Sequence, residues 1–201
     1  MNTPVATRDA LTESVREALT SWSAPDADQD ALRHTFLAFV DAAENPCERA
    51  CVPGHVTASV IVFDARGEQV LLTLHPRVGK WVQLGGHCEP EDSSIAAAAL
   101  REGLEESGLG ALTLSPAPVH LHTHPITCSL GVPTRHLDVR YAAVAADAAP
   151  GVPPVPVISD ESVDLAWWPV AALPGAVDTD SVPTMIAAGR AALTAAGLLP
   201  A

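Results

Sequence analysis

The sequence predicts a mixed α/β (α+β) fold in which a β-sheet is sandwiched by helices and preceded by a helical extension. Apolar residues recur at helical spacing before residue 52, and β-branched runs closed by turn signals follow it. Beyond that point strands and helices alternate without a dinucleotide-binding glycine fingerprint. A length of 201 residues suits one domain plus an extension. With 24 Asp and Glu against 11 Lys and Arg, the formal net charge is -13, and a surface of that sign argues against nucleic acid as a partner. No apolar stretch approaches the roughly 20 residues of a membrane helix, so no membrane partner is expected. Neither a secretory nor a mitochondrial address is legible, and four scattered cysteines do not make a disulfide scaffold, so the expected location is cytoplasmic.

Leu11, Val15 and Leu19 set a helix over 4–19, with Thr7 or Thr12 as its N-cap. Leu32, Phe36, Leu37 and Val40 repeat the pattern after a Pro/Asp-rich break, which makes a helical hairpin. Residues 1–52 are read as an extension and 53–201 as the main domain. Strands are expected at 55–63 and 69–74 around the turn Asp64-Ala65-Arg66-Gly67. A short strand at 81–84 and a Gly85-Gly86 loop follow. The alanine-rich run 93–107 reads as a helix stopped by Gly108. Further strands are expected at 119–123, 134–145 and 163–168, an extended loop at 150–156, and a helix at 184–199.

Chemistry concentrates in 85–109. Glu102, Glu105 and Glu106 converge on one helical face. They sit in the last turns, where the macrodipole disfavours each acid by about 0.3–1 kcal/mol. Folding alone would not select this cluster, whereas a hard divalent cation turns it into an attractive site. Leu100 and Leu104 are expected to anchor the opposite face and turn the acids outward. Arg101 stands four residues before Glu105 and can hold its carboxylate, and Gly85-Gly86 leaves a carbonyl able to turn toward a ligand.

The stretch from Gly86 to Leu109 resembles the signature of the Nudix hydrolases, G-x5-E-x7-R-E-U-x-E-E-x-G-U with U aliphatic. Arg101, Glu102, Glu105, Glu106, Gly108 and Leu109 fall on its right half. Gly103 stands at an aliphatic place, with Leu104 expected to pack instead. The step from Gly86 to Arg101 is one residue longer than in the pattern, and Asp92 replaces the glutamate, so Asp92 is a candidate helix cap.

The resemblance implies a Nudix-like mixed-sheet sandwich and Mg2+ or Mn2+ held by Glu102, Glu105 and Glu106 with the Gly85 carbonyl. It also implies hydrolysis of a diphosphate linkage in a nucleoside diphosphate derivative or related organic diphosphate. Arg101, Glu105 and Glu106 are then catalytic, with Glu161 of the Asp160-Glu161 pair as base, or Glu106 in its stead. Arg77, Lys80 and Arg135 are the cations for diphosphate oxygens, and His87, with Glu89, is a further contact. His120, His122 and His124 alternate along a strand at a spacing that suits a transition metal and equally suits a half-exposed face. Cys88 keeps open an isoprenoid diphosphate isomerase, and the added residue with Asp92 a non-catalytic nucleotide sensor. The expected partner is a small-molecule diphosphate, and the extension packs on the domain, shapes the cleft or mediates a homodimer.

Overall fold

The computed structural model describes residues 10–127, 131–159 and 162–200. In chain order the elements are α1 (Ala10–Ser21), α2 (Ala27–Ala42), β1 (His55–Phe63), β2 (Gln69–Leu74), β3 (Trp81–Val82), β4 (Leu84–His87), α3 (Ile95–Ser107), β5 (Thr113–Leu114), β6 (His120–Thr127), β7 (Pro133–Val144), β8 (Asp164–Pro169) and α4 (Val182–Ala195). Local chemistry sets the helix ends. Asp26 accepts from Gln29 N at 2.8 Å to start α2, and Ser94 accepts from Ala97 N at 3.1 Å to start α3. Gly108 closes α3 in the left-handed region at φ 63°.

At the centre of the sheet, β1 and β7 run parallel, in register from His55↔His136 to Phe63↔Val144. All nine residues of β1 are buried, as a strand covered on both faces requires. On its other side β1 is shared: Val62 and Phe63 pair with β2, Thr57 to Val60 with β4. β3 and β8 extend the sheet beyond β2, while β5 and β6 pair with β7. Val56, Ala58, Val60 and Val62 join Leu11, Val15, Leu19, Phe36, Val40, Ile95 and Ala99 in one core. Ile61 and Phe63 face the other way and pack with Met185, Ile186 and Leu193 of α4. The mixed sandwich expected from the sequence is therefore the architecture.

The helical hairpin is tied to this sheet by polar contacts as well as by apolar packing. Ser14 Oγ accepts from Ile95 N at 2.9 Å, at the first turn of α3. Gln29 spans the backbone of Leu121, its amide donating to the carbonyl at 3.1 Å and its oxygen accepting from N at 2.7 Å.

Several local expectations are corrected. Gly85-Gly86 is not a loop but the middle of β4, paired with Ser59 and Ala58. Gly85 has φ 148°, and a Cβ there would stand 2.6 Å from Ala58 O and Ser59 Cα, so only glycine lets the strand in this close. Thr12 lies inside α1 and donates to Cys47 Sγ at 3.9 Å rather than capping the helix; Thr7 lies outside the described residues. β6 continues through Pro125, which it can do because among the described residues it pairs only with β7 and needs no donor on its other edge. β5 is a two-residue strand too short for periodicity to reveal. Leu100 and Leu104 are only partly buried, and the face of α3 that packs carries Ala98, Ala99, Glu102 and Gly103. A Cβ on Gly103 would lie 2.8 Å from Val60 Cγ1, so the missing side chain, not Leu104, seats the helix on β1.

Candidate active site

Arg101 organises the site. Its guanidinium has five N–H donors, and five acceptors surround them. Nε and Nη2 fork onto Asp92 Oδ1 and Oδ2, both at 3.0 Å. Nη1 reaches Glu102 Oε1 at 3.1 Å and Glu105 Oε2 at 2.9 Å, and Nη2 also donates to the His87 carbonyl at 3.0 Å. Asp92 is therefore not a helix cap. Its side chain is 4% exposed, it accepts from Glu89 N at 2.8 Å, and it backs Arg101 while Ser94 does the capping. α3 is continuous from Ile95, so the added residue leaves the spacing of the three glutamates undisturbed.

The carboxylates differ in setting. Glu102 is buried with its carboxylate against Gly86, where a Cβ would stand 2.7 Å from Oε1. Glu106 Oε2 accepts from Gly85 N at 2.8 Å, and Glu105 is the open one, with 59% of its side chain exposed. Burial pushes Asp92 up, but the Arg101 hydrogen bonds, the Glu89 N–H and the Arg101 charge together outweigh it and leave the carboxyl below its ordinary range. The same ion pairing raises Arg101, first through Asp92. A single guanidinium faces Asp92, Glu102 and Glu105, with Glu106 close by, so the cluster carries excess negative charge made wholly of oxygen donors. That donor set fits a hard divalent cation.

The NUDIX domain profile matches residues 53–187. The chain belongs to the NUDIX domain family. Its enzyme class is that of the Nudix hydrolases, the pyrophosphohydrolases. Among solved structures it is similar to a C. elegans Ap4A hydrolase in a binary complex, at 18% identity and TM-score 0.50, covering 70% of this chain and 98% of that one. It is similar also to the E. coli dihydroneopterin triphosphate pyrophosphohydrolase, at 18% identity and TM-score 0.50, covering 69% of this chain and 95% of that one. At this identity the two likenesses speak for the fold. No curated protein matches the chain.

The Nudix helix thus gathers four of the residues singled out in the sequence, Arg101, Glu102, Glu105 and Glu106, against Gly85 of β4. Glu161, with Asp160, lies outside the described residues. Its flanks are anchored: Val157 N donates to Ser107 O at 2.8 Å at the end of α3, and Ser162 Oγ lies 2.6 Å from Thr73 Oγ1. Among the expected phosphate contacts, Lys80 is ion-paired to Asp178 at 2.9 Å, and Arg135 reaches Thr123 Oγ1 at 3.4 Å. Arg77 is exposed and near enough to His87 to help depress its pKa. Cys88 is buried, donates to the Val56 carbonyl at 3.8 Å, and has its thiol pushed up by the Cys47 contact and by burial, which removes the support it lent to isomerase chemistry. Among the described residues no helix is long and apolar enough to cross a membrane.

What sequence reasoning missed is a histidine-rich face beside the Nudix helix. His122 and His124 do share a face, with Nδ1 atoms 3.4 Å apart, but His120 turns to Gln29, at 3.2 Å. The register instead brings His55, His87 and His136 together. Burial, and then the nearby Arg49, pushes His87 down to about 3. Burial likewise takes His120, His122 and His136 down to about 4 and lowers His55 and His124. In the unfolded chain these rings take up protons below about pH 6.5, whereas the folded chain resists until about 4. Stability is therefore expected to be level above pH 6.5 and to fall steadily as pH drops from 6.5 toward 4. Thermal melts in chelator across that range measure it, and a melting temperature that stays flat from pH 7.5 to 4.5 would contradict the assignment of neutral buried rings.

Proposed function

We propose that the chain is a Mg2+- or Mn2+-dependent hydrolase of a diphosphate linkage in a nucleoside diphosphate derivative or related organic diphosphate. The observation that carries the reading is the Arg101 clamp, in which one guanidinium arranges Glu102 and Glu105 and leaves carboxylate charge in excess beside Glu106. Glu102, Glu105 and Glu106 would hold the cation, with the Gly85 carbonyl as a further ligand. When bound, it supplies neutralisation of the diphosphate and a lowered pKa for the attacking water. Arg101 keeps two of the carboxylates in one orientation, and Glu106 is steadied by the Gly85 N–H. Glu161 accepts the proton of the attacking water, or Glu106 does so in its stead, the roles that the resemblance of the Gly86 to Leu109 stretch implies. Arg77 and Arg135 meet diphosphate oxygens, Lys80 contributes less because Asp178 already faces it, and His87 contacts a phosphate oxygen or a metal-bound water. In this reading residues 1–52 form an extension to a catalytic domain at 53–201, and the Ser14 and Gln29 contacts support its packing on that domain.

Phosphate release from a panel of nucleoside diphosphate derivatives, with Mg2+ or Mn2+ and with chelator, tests the reading. Turnover of a panel member that chelator abolishes is the expected result; turnover indifferent to chelator would overturn the metal dependence. A more local prediction concerns Gly86. Gly86→Ala drives a methyl against the Glu102 carboxylate, not against backbone, so the protein folds while the half-saturating Mg2+ concentration rises by about 10–100-fold. A metal titration of activity unchanged from wild type would dismiss the packing of Glu102 on Gly86 as functionally relevant.

A further inference from the structure

Next to the carboxylates the sheet assembles a different set of metal-ligating atoms. β1 supplies His55, β4 His87 and β7 His136, where the register sets His55 opposite His136 and His87 opposite Thr57. Ring centroids are 5.0 Å apart for His55–His87, 4.9 Å for His55–His136 and 5.0 Å for His87–His136. One ligand nitrogen from each ring lies within 4.8 Å of the other two. We propose that His55, His87 and His136 form a second cation site, for a borderline transition metal and Zn2+ foremost, apart from the Glu102, Glu105 and Glu106 centre.

Three imidazole nitrogens without a carboxylate are the wrong donors for Mg2+ and the right ones for Zn2+ or Co2+. Tetrahedral ligation at about 2.0–2.1 Å would bring the nitrogens to about 3.4 Å. His55 is fully buried within β1, opposite His136, so it provides the fixed ligand. His87 and His136 are half-buried and close the remaining distance by ring rotation.

The charged surroundings are mixed. Asp138 lies close enough to His136 to act on its charge, while Arg49, Arg77 and Arg135 stand near the rings of His87, His136 and His124. Arg49 Nη2 is 3.1 Å from His87 Nδ1, and because a guanidinium only donates, that nitrogen presents a lone pair to a positive group already. Arg49 is exposed and can swing out, so a metal ion and the guanidinium compete for one lone pair. Three protein ligands leave a fourth position for water or a substrate oxygen. The His87 carbonyl is bonded to Arg101, so the site sits one peptide group from the clamp.

The test uses the full chain, stripped with chelator and then kept in excess Mg2+ to occupy the carboxylates, with Co2+ titrated as spectroscopic probe and Zn2+ as competitor. The expected result is one equivalent of Co2+ showing the visible bands of a four-coordinate nitrogen site, displaced by Zn2+. His136→Gln loses those bands, Glu105→Gln keeps them, and Arg49→Ala binds Co2+ several-fold more tightly. Should His136→Gln fail to fold, His87→Gln gives the same readout. Absence of bound Co2+ in the wild type, bands that survive the histidine variants, or bands lost in Glu105→Gln would each overturn the proposal.

Discussion

Glu105→Gln is expected to lower kcat on any diphosphate substrate by about 10²–10⁴-fold, the range for removing a group that carries charge or a proton at the reacting centre. Glu105 is the carboxylate best placed to reveal chemistry separately from folding. Its side chain is 59% exposed, and its one tie to Arg101, at 2.9 Å, is the outermost of the five the guanidinium makes. The amide keeps the shape and removes the charge, so stability should change by no more than about 0.5 kcal/mol, as at other exposed positions. Phosphate release and a thermal melt on the same preparation measure both quantities. Full turnover with unchanged metal affinity would remove Glu105 from the catalytic set.

Arg101→Ala should have the largest effect on stability, a loss of about 3–5 kcal/mol, because it strands a buried carboxylate. Asp92 is 4% exposed at its side chain and receives two of the five guanidinium bonds. With Arg101 present, Asp92 titrates below its ordinary range, so its contribution is complete above about pH 3.8 and is lost as pH falls through the lower folded value. Without Arg101 the sign reverses, since burial is a larger effect than the Glu89 N–H that remains and raises the group, and the variant should gain relative stability as pH falls. Urea unfolding at pH 7 and pH 4.5 checks the magnitude and the reversal. Adding Asp92→Asn to Arg101→Ala should recover part of the loss, and a strictly additive double variant would mean that the pair does not act as a unit. Activity falls as well, because Glu102, Glu105 and the His87 carbonyl lose their common anchor.

The parts of this site that were legible in the sequence are those governed by short-range periodicity. Arg101, Glu102, Glu105 and Glu106 lie within two turns of α3, and helical spacing carries them to one side whatever else the fold does. Gly108 as a helix stop and the β-branched run of β1 are local signals of the same kind. Where the reading failed, a tertiary approach had overridden a local rule. Gly103 stands at an aliphatic place of the pattern and Leu104 is the residue expected to pack, yet the absent side chain is what lets α3 settle on Val60. Gly85 and Gly86 read as a loop because glycine usually marks one; β4 uses them to come within reach of Ser59 and of Glu102. Asp92 looked too short and one residue out of step, and only the folded loop shows its two oxygens on Arg101.

By itself, then, the sequence determined a mixed sheet flanked by helices and the identity and spacing of the acidic helix, because both follow from repeats of 2 and about 3.6 residues that neighbouring side chains impose. The tertiary structure alone decided which acid is buried, what holds Arg101, and which histidines meet. His55, His87 and His136 come from strands far apart in the chain, and the parallel register of β1 with β7 and the antiparallel register of β1 with β4 make them neighbours. A shift of either register by one residue would turn the moving strand's rings to the opposite face of the sheet, and no local pattern records that choice.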